Sequence, residues 1–206
     1  VTSELERLRQ VMAELRLRCP WDAKQTHRSL LNHLVEEAAE VVDAVETGTD
    51  DDLREELGDL LLQVYFHARI AEDDGRFDVE DVARGISDKL VRRHPHVFAD
   101  DAVPTDIWQS WEERKRVEKG RTSALDGIAE SLNVVPRLQK VISRSRSHRV
   151  PLDLPEESID EVSFGSALVA LVARAQASGV DADAAARLAL RGLEARVRAE
   201  ESAGAE

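Results

Sequence analysis

The chain has 206 residues and carries 41 acidic against 28 basic side chains, a net charge of −13 that disfavours nucleic acid or an anionic membrane as partner. Hydrophobic residues make up 42%, enough for a core, yet no apolar run approaches the roughly 20 residues that span a membrane. Cys19 is the only cysteine, which excludes disulfide stapling, and no signal-peptide pattern is visible, so a cytoplasmic setting is expected.

The length fits one domain, or one and a half repeats. Val1 in place of Met points to an alternative start codon or a trimmed fragment. Residues 2–17 predict an amphipathic helix with Leu5, Leu8, Met12 and Leu15 on one face and Ser3 as N-cap. The loop around Cys19-Pro20-Trp21-Asp22 follows; Trp21 suits a packing anchor as well as a base-stacking platform. Ser29 stands as a candidate cap for the next helix.

From Leu30 to Asp74 the pattern predicts two helices joined at Gly48-Thr49-Asp50. The first carries Glu36, Glu37 and Glu40 opposite Leu34, Val35, Ala38, Val41, Val42 and Val45, as any amphipathic surface helix does. The second is different. Leu53, Leu57, Leu60, Leu61, Leu62, Val64, Tyr65 and Phe66 surround most of its circumference, which predicts burial on most sides, and Glu56 and Asp59 lie within that apolar belt. Carboxylates carried inward need a cation or a proton. If the helices pair antiparallel, the two acidic strips converge and the cluster needs a metal. Its donors are all hard oxygens, without Cys or His at ligand spacing, which favours Mg2+ or Mn2+ over zinc. The Glu-x-x-His pairs of four-helix di-iron sites are missing from this hairpin. Magnesium held by a few carboxylates keeps positions open for water and phosphate oxygens, so the cluster suggests phosphate chemistry.

Asp78 or Val79 opens a further helix running to Arg93, with Lys89, Arg92 and Arg93 near its C-terminal end. Complementing the helix dipole accounts for one or two of these cations. Pro95 to Pro104 interrupts the helices, and Ile107 to Lys119 predicts a charged helix that includes Trp111, Glu112, Arg114 and Lys115. The stretch 121–155 reads as a link with a helix at 128–147; its basic run Arg144, Arg146, His148, Arg149, followed by Pro151 and Pro155, has the composition of a linker or a surface helix end.

Residues 160–179 can be set against 55–74, with Ala173-Arg174 matching Ala68-Arg69, and VDADAAAR at 180–187 then matches FDVEDVAR at 77–84. In this register Glu161 replaces Glu56, but Phe164 replaces Asp59, Gly192 replaces Lys89 and Ala195 replaces Arg92. The second half therefore reads as a degenerate copy without the chemistry, its face of Leu168, Leu171, Val172 and Ala175 serving packing. Two unrelated Ala-rich helices are the alternative. The tail beyond Glu200 is expected to fray.

Six ordered words carry a family resemblance. They are CPWDAKQTH at 19–27, Glu-Glu-x-x-Glu followed after 15 residues by Glu-x-x-Asp, GRFDVEDV at 75–82, SDKLVRRHPHVF at 87–98, WEERK at 111–115 and SALDGI at 123–128. Over roughly residues 15–135 the chain resembles the MazG nucleoside triphosphate pyrophosphohydrolases. The expected fold class is all-α, a helical bundle that the resemblance completes by homodimerisation. Residues 1–130 would form the catalytic domain, and 131–206 the linker helix and degenerate repeat. The implied reaction is NTP + H2O → NMP + pyrophosphate, with nucleoside triphosphates as partners and Mg2+ as cofactor (Mn2+ substituting).

On this footing Glu37, Glu40, Glu56 and Asp59 are the expected metal ligands, and Glu36 the group that orients or deprotonates water. Lys89, Arg92 and Arg93 become phosphate binders, and Trp111 and Lys115 match positions that approach the nucleotide in the family. An exposed aromatic plane stacks any base, so several nucleobases would be tolerated. The alternatives are a narrower pyrophosphatase for dUTP, dCTP or phosphoribosyl-ATP, and a non-catalytic helical interaction module.

Overall fold

The computed structural model describes residues 3–99 and 102–204, and among them every regular element is helical. The all-α expectation holds. The chain forms two compact units, residues 1–92 and 93–206. This division by packing falls earlier than the 130/131 boundary drawn from the sequence words.

In the first unit, α1 (Glu4–Arg18) is capped by Ser3, whose hydroxyl accepts from the Glu6 N–H at 3.2 Å. Thr2, expected at its start, lies outside the described residues. After a 3-10 turn at Asp22–Lys24 come α2 (Leu31–Thr47) and α3 (Asp50–Asp73). The two-residue link forces these helices antiparallel. A Cβ on Gly48 would stand 2.8 Å from the Ala44 carbonyl oxygen, so the tight exit from α2 demands glycine. Thr49 and Asp52 then cap α3 reciprocally: Asp52 Oδ2 accepts from the Thr49 N–H at 2.7 Å and Thr49 Oγ1 from the Asp52 N–H at 3.3 Å. α4 (Val79–Arg93) completes the unit's helices, with Asp78 accepting from the Asp81 N–H at its start.

Two local expectations differ. Ser29 does not cap α2: its hydroxyl accepts from the Thr26 N–H at 2.9 Å and donates to Gln25 Oε1 at 2.6 Å, so it is engaged in the loop, and Leu30 occupies the N-cap position. Nor is α3 buried all round. Its core contribution lies in the C-terminal half, where Tyr65, Phe66 and Ile70 meet Met12 and Leu30. Nearer its start Leu57 remains 48% exposed, because α1 and the loop before α2 cover only the far half.

Trp21 anchors that loop, standing edge-on to Phe66 at 6.4 Å and to His33 at 6.1 Å. Two histidines add a second pin. His27 Nδ1 lies 2.8 Å from His67 Nδ1, and Arg76 Nη2 lies 2.6 Å from His27 Nε2. A guanidinium can only donate, so His27 Nε2 accepts, His27 Nδ1 carries the hydrogen, and His67 Nδ1 accepts it. Both imidazoles must be neutral for the chain of bonds to close.

In the second unit, α5 (Pro95–Phe98) and α6 (Ile107–Glu118) precede α7 (Val134–Ser147), α8 (Glu161–Ala177) and α9 (Ala182–Ala203). Its core joins Ala124, Ile128 and Val141 to Leu190, Leu193 and Val197 of α9. The stretch 121–155 is thus no linker: it supplies half of that core, and Arg144, expected at a surface, is only 2% exposed. α8 shows the reverse. Leu168, Leu171 and Val172, expected to pack, are exposed, and α8 buries none of its residues.

The histidine pin generates a pH dependence. Burial, and then the neighbouring His27, hold the His67 imidazole below its ordinary value. The unfolded chain therefore takes up this proton before the native one, and the contribution of His67 to stability is present above about pH 6.5 and lost as pH falls below it. Between pH 7.5 and 5.5, thermal melting of the wild type in chelator should fall relative to a His67→Phe variant. Parallel pH profiles for the two proteins would rule out the pin.

Candidate functional site

The paired helices α2 and α3 bring one carboxylate oxygen each from Glu37, Glu56 and Asp59 within 4.8 Å of one another. All three side chains are half-buried. They share this spot because Glu37 lies nearly three turns before the end of α2 and Glu56 nearly two turns into α3, and the short Gly48-Thr49 link folds those turns back on one another. Glu40 is one turn further along α2 and shares a side-chain hydrogen bond with Glu37. The four residues expected as metal ligands are thus neighbours, three of them in the tight group.

Among the described residues no lysine or arginine is paired with this group, and its electrostatics show it. Burial, then the charges of Asp59 and Glu40, push the Glu37 carboxyl above its ordinary value. Burial, then Glu40 and Asp59, do the same to Glu56. Carboxylates at opposing helix faces that hold on to protons are a site short of positive charge. Three or four hard oxygen donors without sulfur or nitrogen fit Mg2+ or Mn2+, and the donor set matches a divalent ion better than it matches its own surroundings. Glu36 sits apart, exposed on the rim of α2 with Oε2 3.8 Å from His33 Nδ1. His33, also edge-on to Trp21, carries no signal in the sequence beyond its i,i+3 spacing from Glu36.

The nominated substrate-binding residues divide between the units. Lys89, half-buried, and Arg92, exposed, lie on α4 in the first. Arg93 is buried in the second, its Nε donating to Glu118 at 2.8 Å and its guanidinium 5.9 Å from the centre of the Trp111 ring. Lys115 Nζ lies 3.9 Å from that same centre and 2.7 Å from Glu112 Oε1. One face of Trp111 is therefore covered by an ammonium, which holds the indole in place. Glu112, which fixes Lys115, was named on this helix without a role, and Glu118, which fixes Arg93, was not singled out in the sequence. The i,i+3 spacing of Glu112 and Lys115 within WEERK was the available signal.

Comparison with known proteins agrees with the geometry. A family model described as the MazG nucleotide pyrophosphohydrolase domain matches residues 25–98, which include α2, α3 and α4. The chain is 41% identical over 177 residues to the nucleoside triphosphate pyrophosphohydrolase of Escherichia coli, covering 79% of this chain and 67% of that protein. It is 38% identical over 208 residues to the nucleoside triphosphate pyrophosphohydrolase/pyrophosphatase MazG of Thermotoga maritima, covering 90% and 81%. A nucleoside triphosphate pyrophosphohydrolase of Mycobacterium tuberculosis is 43% identical over 159 residues, covering 76% and 49%.

The raised carboxyl groups make the cluster testable without substrate. A carboxyl with a raised native value keeps its proton longer than the unfolded chain does, so stability in chelator falls as pH rises through that value. Magnesium needs the ionised carboxylates, so its affinity rises over the same range. Asp59→Asn keeps the side-chain shape and removes one repelling charge. It should melt higher than wild type in chelator and show a smaller magnesium-induced shift; the wild-type shift corresponds to about 2.7 kcal/mol at a hundredfold excess over Kd. An Asp59→Asn protein that melts lower in chelator and keeps the full magnesium shift would make Asp59 a structural residue.

Proposed function

Because the chain belongs to the MazG nucleotide pyrophosphohydrolase family, we propose that it hydrolyses ribo- and deoxyribonucleoside triphosphates to the monophosphate and pyrophosphate, clearing unwanted nucleotides from the pool. Mg2+ is the proposed cofactor, with Mn2+ able to substitute. The observation that carries this reading is the meeting of Glu37, Glu56 and Asp59 within 4.8 Å across two helices, where among the described residues no lysine or arginine contributes to the shifts of Glu37 or Glu56.

In this proposal Glu37, Glu40, Glu56 and Asp59 hold the metal. A bound divalent ion neutralises phosphate charge and makes water a better nucleophile near neutral pH. Glu36, exposed beside the cluster on the same helix, orients the attacking water and accepts its proton. Lys89 and Arg92 supply charge-assisted donors to the phosphates. Trp111, Lys115 and Arg93 are proposed as nucleotide contacts on the strength of the family resemblance. The buried ion pairs of Lys115 and Arg93 position those side chains before any ligand arrives. Residues 1–130 are proposed as the catalytic portion and 131–206 as a degenerate copy, with Phe164 where the first copy has Asp59. A homodimer accords with the family and with the exposed leucine and valine side chains of α3.

A panel of ribo- and deoxyribonucleoside triphosphates under saturating Mg2+, with products resolved, tests the reading. Monophosphate and pyrophosphate should appear in equal amounts. In heavy-oxygen water the label should enter the monophosphate, because water attacks the α-phosphorus. Diphosphate with inorganic phosphate, or label in pyrophosphate, would overturn the proposed bond choice. Glu36→Gln should lower kcat about 10²–10⁴-fold while keeping the magnesium-induced melting shift. Unchanged turnover would remove Glu36 from the reaction.

A further inference from the structure

The second unit holds buried positive charge that the proposed reaction does not use. Arg144 of α7 is 2% exposed, and its Nη2 donates to the Asp126 carbonyl oxygen at 2.5 Å, while its Nε finds no acceptor. Arg121 reaches the same turn. Its Nη2 lies 3.7 Å from where a Cβ on Gly127 would stand, and its buried Nη1 is likewise without an acceptor. Gly127 has φ +70°, a left-handed turn that leaves the backbone bare beneath the Arg121 guanidinium. Two guanidinium groups thus converge on one turn, each with a buried N–H donor unspent. Such donors are rare in native interiors and call for a partner, water or anion.

The charges around them deepen the deficit. Lys115 and Lys140 also face this region, with Arg116 and His148 beyond, against the carboxylates of Glu112, Asp126 and Glu201. Those acids are already engaged: Glu112 with Lys115, Asp126 with the N–H groups of Thr122 and Ser123, and Glu201 with Ser123 Oγ and the Ala124 N–H. Burial, then Arg121, hold Arg144 below its ordinary value; burial of Lys115 outweighs what Glu112 returns to it. A monovalent partner would leave most of this charge standing. A phosphoryl anion supplies two negative charges and several acceptor oxygens, and the planar fork of arginine suits it.

We propose that Arg121, Lys140 and Arg144 form a phosphoryl-anion site within the second unit. The site is built from residues of the second unit alone and stands without any assumption about the reaction. Its ligand is inorganic phosphate, or pyrophosphate binding through a terminal phosphoryl group.

Calorimetric titration of the full chain with each anion, in excess chelator and at fixed ionic strength, tests this. Without a divalent ion the carboxylate cluster repels anions, so failure of the metal site leaves the result untouched. Saturable binding of phosphate or pyrophosphate is expected, at least tenfold weaker in Arg121→Gln and several-fold weaker in Lys140→Gln. The tighter of the two anions identifies the source. Both substitutions fall on half-buried side chains, and far-ultraviolet circular dichroism of each variant verifies that the helices persist. Lys24→Gln, an exposed cation of the first unit, should bind as the wild type does. The proposal is overturned if neither anion binds beyond a matched chloride control, if both second-unit variants bind unchanged, or if only Lys24→Gln loses affinity.

Discussion

Electrostatic repulsion between carboxylates on facing helices is the constraint from which the rest of the first unit takes its sense. A hairpin of two amphipathic helices would ordinarily point such side chains at water, where solvent screens them. Here the short link at Gly48-Thr49 and the cap at Thr49–Asp52 fold α2 onto α3 so that Glu37, Glu56 and Asp59 oppose one another, with Glu40 alongside. Among the described residues no lysine or arginine relieves the group. A protein that tolerates this arrangement without an ion gains from one that binds. In the proposed reading the same feature would couple stability, metal affinity and catalysis through the protonation of the same few oxygens.

The surrounding structure serves to hold that hairpin. Met12 of α1 and Leu30 before α2 close over Tyr65, Phe66 and Ile70 at the far half of α3, while Trp21 and the His27–His67–Arg76 chain fasten the intervening loop. Packing is concentrated at the end of α3 away from the carboxylates. The acidic half keeps exposed leucine and valine side chains and half-buried charge. Rigidity at one end and unsatisfied charge at the other is an arrangement suited to a site that completes itself on binding. The second unit follows a contrasting rule: Glu112–Lys115 and Arg93–Glu118 are paired and buried around Trp111, and the residual burden there is positive.

Much of this was legible in residue patterns. The helical class, the hairpin and the nearness of Glu37, Glu40, Glu56 and Asp59 follow from periodicity and from a link too short for anything but an antiparallel pair. Ser3 capping α1 follows from local chemistry alone. What escaped was set by tertiary partners. Ser29 has the right identity for a cap, but a nearby threonine and glutamine compete for its hydroxyl. Arg144 sits in a basic run that resembles surface, and only the packing of α7 on α9 shows that its side chain is enclosed. The apolar belt of α3 and the apolar face of α8 were read as buried because hydrophobicity says that a surface seeks cover, without saying where the chain provides it. Among the nominated substrate residues, the tie of Lys115 to Glu112 was signalled by i,i+3 spacing, whereas Arg93 gave no sign in sequence that it pairs with Glu118, 25 residues away.

The most direct measurement of the central claim is a carboxyl-carbon nuclear magnetic resonance titration of the full chain, with and without Mg2+. The account predicts that without metal the Glu37 and Glu56 carboxyl groups lose their protons above the ordinary glutamate value of about 4.3. Saturating Mg2+ should move both titrations to lower pH and shift their resonances together with that of Asp59. If both groups titrate at the ordinary value and Mg2+ leaves all three resonances unmoved, the carboxylates do not form a shared metal site, and the account fails at its root.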